Sequence, residues 1–181
     1  MSSRHRACGL ALSIAVSAGA ASACATGRAA ATPTPFPSAH GPLVTPAAST
    51  SAVDQVVRTA LALRGTRYRL GGQDPNRGLD CSGLVQYVFG QFSIPVPRTV
   101  DEQFGAGHVI DFAQIRAGDL LFFATTRAGL ESGSATHVGI AIGPPSLGEF
   151  VHAPGSGGAV RIDRFDAPYW RARWVGARRL F

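Results

Sequence analysis

The chain has 181 residues, enough for one domain with little left over. Apolar residues make up 45% and charged residues 15%, which excludes disorder throughout. All 17 basic residues are arginine and the net charge is +6, but no nucleic-acid-binding motif accompanies them, so no nucleic-acid partner is expected. Residues 53–181 carry fourteen arginines against eleven acids, a modest net +3 that suits solubility. Only residues 161–181, with six arginines against Asp163 and Asp166, read as a possible contact surface for an anionic polymer.

Residues 1–24 read as an export signal. Arg4 and Arg6 form a basic start, residues 10–20 are small and apolar, and Ala21-Ser22-Ala23 supplies a small-residue cleavage site. The apolar run is too short for a membrane span. Cys24, directly after the cleavage site, resembles the acylated cysteine of bacterial lipoproteins, although Ala21 stands where an aliphatic residue is usual. This resemblance implies a lipid anchor in a membrane; without it the protein would simply be secreted. Residues 25–50, rich in Ala, Thr, Pro and Ser, read as an unstructured tether.

The domain is expected over residues 51–181. Ser51 and Asp54 form a capping box, and Val53, Val56, Val57, Ala60 and Leu61 define one helical stripe that ends at Gly65. A glycine-containing loop, residues 71–76, leads to a second helix capped by Asp80, with Leu84, Val85, Val88 and Phe89 facing inward. Pro95 and Pro97 interrupt the chain before a short helix over residues 100–104. From residue 117 onward the texture becomes that of strands: 119–125, 137–142, 149–152, 159–163 and 173–179 are short runs bounded by Gly, Pro or Asp. Helices followed by strands indicate an α+β domain with an antiparallel sheet.

If Cys8 leaves with the signal and Cys24 carries lipid, Cys81 is the sole thiol of the mature domain, worth reading as a reactive group. At the first turn of a helix, free N–H groups favour a thiolate and can also hold an oxyanion, so a lowered thiol pKa is expected. Such a nucleophile needs a base and a group to orient it. His5 lies in the signal, His40 in the tether and His108 in an expected loop, which leaves His137 and His152. Their midpoint falls between Pro144 and Pro145. A hairpin centred there sets the two directly opposite each other, with Cβ atoms about 5 Å apart. Alternation groups His137 with the small residues Gly139 and Ala141, a face expected to receive the start of the second helix.

Several segments resemble the NlpC/P60 cysteine peptidases. Gly65-Thr66-Arg67-Tyr68-Arg69-Leu70-Gly71-Gly72 is similar to that family's G-x-x-Y-x-x-G-G element, and Asp80-Cys81-Ser82-Gly83-Leu84-Val85 matches its D-C-S-G-L-V. Pro97-Arg98-Thr99 with Gln103, residues 117–123, His137-Val138-Gly139-Ile140 and Phe150-Val151-His152-Ala153 follow in the family's order. Ala117 replaces a usual proline and Leu70 a common aromatic.

The resemblance implies a papain-like α+β fold, with N-terminal helices on an antiparallel sheet or partial barrel, that hydrolyses amide bonds in peptidoglycan peptide stems. It assigns Cys81 as nucleophile, His137 as base and His152 as the residue orienting His137. It places Tyr68 near the oxyanion and Asp80, Ser82 and Arg98 along the substrate groove. A monomer without cofactor is implied. Two other readings stay open: a catalytically silent wall-binding module, and a zinc site built from Cys81, His137 and His152.

Overall fold

The computed structural model describes residues 51–155 and 158–181. The export signal, the tether and Cys24 lie outside the described residues. Helix α1 (Ala52–Ala62) begins at the expected capping box, with the Asp54 amide donating to Ser51 Oγ at 3.1 Å and the Ser51 amide donating to Asp54 Oδ2 at 3.3 Å. Its stripe buries Val56 and Ala60, with Val53, Val57 and Leu61 half-buried beside them.

Next come a two-stranded ribbon, β1 (Gln73–Asp74) and β2 (Gly78–Leu79), and then α2 (Cys81–Gly90). Leu84, Val85, Val88 and Phe89 of α2 are fully buried, each contributing about 1.5–3 kcal/mol of transfer free energy. The short helix α3 (Val100–Phe104) has its own capping box, Thr99 with Glu102.

Six strands form one antiparallel sheet: β3 (His108–Ile110), β4 (Leu120–Phe123), β5 (His137–Ala141), β6 (Glu149–His152), β7 (Arg161–Arg164) and β8 (Trp174–Arg179). Their spatial order is β3-β8-β4-β5-β6-β7, so the last strand in the chain lies inside the sheet. Short helices α4 (Arg127–Ser132) and α5 (Pro168–Arg171) occupy two of the connections. This is the α+β arrangement read from the sequence. β1 falls in the segment read as a loop, β2, α4 and α5 fall where no element was expected, and His108 lies in edge strand β3 rather than in a loop. All are short elements held by tertiary pairing, with little local pattern of their own.

The sheet has apolar material on both faces. Leu120, Phe122, Val138, Ile140 and Val151 share one core with α1 and α2. Leu121, Phe123, Ala141, Phe150 and Ala177 share another with Phe165 and Trp170. Alternation along β5 therefore corrects one expectation: α2 packs on the Val138 and Ile140 face, opposite Gly139 and Ala141. The small-residue face receives the Phe150 ring instead, and a Cβ at position 139 would meet Phe150 Cδ2 at 2.5 Å.

The hairpin register is also corrected. Ile140 pairs with Val151 and Ala141 with Phe150, and the Ile142 amide donates to the Glu149 carbonyl at 3.0 Å. His152 thus lies opposite Gly139, not His137. The turn is centred one residue later than expected because Gly148, at φ 71°, closes it in the left-handed region that glycine adopts without penalty. A shift of two residues preserves the face, so the histidines remain diagonal neighbours on one side of the sheet.

Candidate active site

Cys81 is the first residue of α2, and its N-cap is held in place from several directions. Asp80 Oδ1 accepts from the Gly83 amide at 2.7 Å, and Asp80 Oδ2 accepts from the Gly71 amide at 2.9 Å. Arg98 grips the same carboxylate with two hydrogen bonds, 3.1 Å to Oδ1 and 2.6 Å to Oδ2, and also donates to Ser82 Oγ at 2.8 Å. Such bidentate pairing fixes direction as well as distance. Gln103 Nε2 donates to the carbonyls of Ser82 and Pro97, at 3.1 and 2.8 Å, tying α3 to the start of α2. Gly83 admits the loop closely: a Cβ there would collide with the carbonyl oxygen of Gly72. Asp80 and Ser82 are thereby buried and mutually bonded, while Arg98 keeps 30% of its side chain exposed.

The Cys81 thiol lies at the start of β5, where the Val138 amide donates to its sulfur. Burial nevertheless pushes the thiol pKa up. The Val138, Ser82 and Cys81 amides oppose that shift, and the Asp80 charge reinforces it. This corrects the expectation of a lowered pKa: desolvation outweighs the helix-start N–H groups. Tyr68, half-buried, stands beside the same thiol. Its phenol is pushed up by burial and by the charges of Cys81 and Asp80.

His137 and His152 are both buried, and His137 Nε2 lies 2.9 Å from His152 Nδ1. His152 Nε2 lies 3.0 Å from Asp163 Oδ2 on β7. Arg161 in turn donates to both Asp163 oxygens, at 3.0 Å each. Aromatic rings cover the two imidazoles of this row, while Asp163 stays partly exposed. Trp170 stacks on His137 at 5.5 Å and meets His152 edge-on at 5.0 Å, while Phe150 stacks on His152 at 4.6 Å.

The electrostatics follow from this arrangement. Burial, reinforced by the neighbouring His152, holds His137 well below the usual imidazole value. Burial also depresses His152, and Asp163 only partly restores it. Burial pushes Asp163 up, but the Arg161 and His152 hydrogen bonds outweigh it, and its net pKa is lowered. The resting row is neutral imidazole, neutral imidazole, carboxylate.

A cavity of about 780 Å³ opens on this side of the sheet, lined by Thr126, His137, Arg161, Asp163, Tyr169 and Trp170 among others. Its size suits a peptide-sized ligand. The structure thus joins His137 to His152, and brings Tyr68, Asp80, Ser82 and Arg98 around Cys81. Asp163 and Trp170 escaped sequence reasoning. A carboxylate in a strand-like run was the available signal for Asp163, but its meaning depends on the β6–β7 register, which sets it diagonal to His152. Among the described residues, no group of three or more His, Cys, Asp or Glu side chains is arranged as a set of metal donors.

The NlpC/P60 family model matches residues 65–179, the stretch that carries every one of these groups. The chain belongs to the NlpC/P60 family. Its relatives include the murein DD-endopeptidase MepS/murein LD-carboxypeptidase of Escherichia coli (strain K12), 42% identical over 118 residues, covering 65% of this chain and 57% of that protein. The gamma-DL-glutamyl hydrolase of Bacillus subtilis (strain 168) is 35% identical over 143 residues, covering 77% and 33% respectively. Among solved structures, an NlpC/P60 family protein from Bacillus cereus ATCC 10987 superposes with a TM-score of 0.64 at 30% identity, over 72% of this chain and 41% of that one. The chain spans 33% to 57% of the length of such curated relatives, so what it shares with them is the NlpC/P60 domain.

Proposed function

We propose that this NlpC/P60 domain is a cysteine-type endopeptidase that hydrolyses amide bonds in peptidoglycan stem peptides or cross-links. The observation that carries the reading is the hydrogen-bonded row His137–His152–Asp163, which begins at the strand residue next to the amide that holds the Cys81 sulfur. Relatives named as murein endopeptidases support the substrate class.

With a neutral thiol facing a neutral imidazole, attack and proton transfer are coupled. Cys81 Sγ adds to the amide carbon as its proton passes to His137, and the carbonyl electrons move to oxygen. Free N–H groups at the start of α2 and the Tyr68 hydroxyl stabilise that oxyanion. Collapse breaks the C–N bond, and His137 returns the proton to the leaving amine. Water, deprotonated by His137, then hydrolyses the thioester and restores the thiol. Asp80 and Ser82 shape the groove floor, and Arg98 faces the substrate from its exposed side. Acylated Cys24 would tether the domain to a membrane in the cell envelope, which the mass of the mature N-terminus checks.

Digestion of purified peptidoglycan, with mass analysis of the fragments, tests the activity. Cys81→Ala and His137→Ala should each abolish cleavage to a similar degree, since members of one catalytic unit are not additive. His152→Asn or His152→Gln should retain substantial activity, because an amide oxygen can accept the same N–H. His152→Ala should lose about 10²–10⁴-fold. Wild-type protein that binds sacculi and releases no fragment would instead identify a silent wall-binding module.

A further inference from the structure

We propose that Asp163 is a positioning residue for the reaction, setting through His152 which nitrogen of His137 is free to take the thiol proton. The inference rests on the reading of His137 as the base and extends it two residues outward.

The geometry leaves one consistent proton arrangement. An ionised carboxylate only accepts hydrogen bonds, so His152 Nε2, 3.0 Å from Asp163 Oδ2, must carry a hydrogen. His152 is neutral, so its Nδ1 is bare and acts as an acceptor. His137 Nε2, 2.9 Å from that nitrogen, must then carry a hydrogen. His137 is neutral as well, and its lone pair falls on Nδ1, the nitrogen not engaged by His152. Reverse the first bond and each ring reverses in turn. His152 Nδ1–H would donate to His137 Nε2, leaving His137 Nδ1 protonated and unable to act as a base.

Two features hold the productive arrangement. Arg161 grips both Asp163 oxygens from the same strand, at 3.0 Å each, and keeps the carboxylate ionised and aimed. Trp170 and Phe150 cover the rings, limiting competition from water for the same hydrogen bonds. The charged and titratable groups acting on His152 are Asp163 and Arg161 from β7 and His137 from β5. The negative charge of Asp163 also favours the imidazolium that His137 becomes when the thiol proton arrives.

The test uses full-length protein with ¹⁵N-labelled histidine, and long-range ¹⁵N–¹H NMR to identify the bare nitrogen of each ring. Wild-type protein and Cys81→Ala, which lacks the nucleophile, should both show bare Nδ1 on His137 and on His152. Asp163→Asn, made in both backgrounds, should populate the reversed tautomers. In the active background it should lower kcat by about 10²-fold with little change in KM, less than a carboxylate bonded directly to the base would cause. A bare Nε2 on His137 in the wild type overturns the proposal before any variant is folded. So does an Asp163→Asn protein with unchanged tautomers and kcat within about 3-fold of wild type. Full activity of His137→Ala would overturn the base assignment itself, while the tautomer shifts in the Cys81→Ala background would still report on Asp163 independently of turnover.

Discussion

The two faces of strands β4 and β5 are both covered but are held together differently, and only one of them borders a cavity. On one face, Val138, Ile140, Leu120 and Phe122 meet the apolar stripe of α2, where contact is non-directional and judged by volume. On the other, His137, His152 and Asp163 form a row of directed hydrogen bonds whose imidazoles pack against Phe150 and Trp170. Cys81 packs against the first layer and His137 belongs to the second. Cys81 meets the start of β5 at Val138, one residue along the strand from His137. The apolar layer sets where Cys81 stands, and the polar row sets what His137 can do.

The comparison breaks most forcefully on the apolar side. Phe89→Ala, at a fully buried position, should destabilise the fold by about 3–5 kcal/mol, read as a lower midpoint in chemical denaturation. A loss under about 1 kcal/mol would mean that α2 is held mainly by the polar clamp of Asp80 and Arg98.

The polar side should respond to acid. His137 and His152 titrate in the folded protein far below their unfolded value near 6.5, so the unfolded chain binds protons that the native one refuses. Their stabilisation is complete above pH 6.5 and is lost as pH falls toward the folded values, at up to about 1.4 kcal/mol per unit for each histidine. The lowered pKa of Asp163 adds a loss in the same direction at still lower pH. Thermal melts from pH 7 to pH 4 should show a falling Tm, with a shallower slope in His152→Gln. A flat profile would mean that the row is wetter than its burial implies.

The smallest effect sharpens the boundary between the layers. Burial raises the Cys81 thiol, so alkylation by iodoacetamide should be slow at pH 7 and rise only above the ordinary thiol range near 8.5. Rapid alkylation at neutral pH would instead mean that the helix-start amides outweigh desolvation.

These differences also explain what could be read in advance. The helix starts were legible because caps are local: Ser51 with Asp54, and Asp80 with Gly83, are three residues apart. Strand positions and the shared face of the histidines were legible from alternation. The exact pairing was not, because it depended on a left-handed Gly148 that moved the turn by one residue. Asp163 was invisible as a partner because β7 reaches β6 across a connection whose length carries no register signal. The direction of the thiol shift was not legible because a cap is written in neighbouring residues, whereas burial depends on how the whole domain packs.

The sheet order carries a consequence for when the protein becomes whole. Strand β8 is the last to emerge in chain order, yet it is inserted between β3 and β4. Until it arrives, β3 has no partner and β4, on which β5 and therefore His137 lean, presents an open edge. Locally encoded helices can form early, whereas the strand that closes the sheet comes from the far end of the sequence. A chain still being made therefore holds Cys81 on its helix long before it holds a finished sheet around His137.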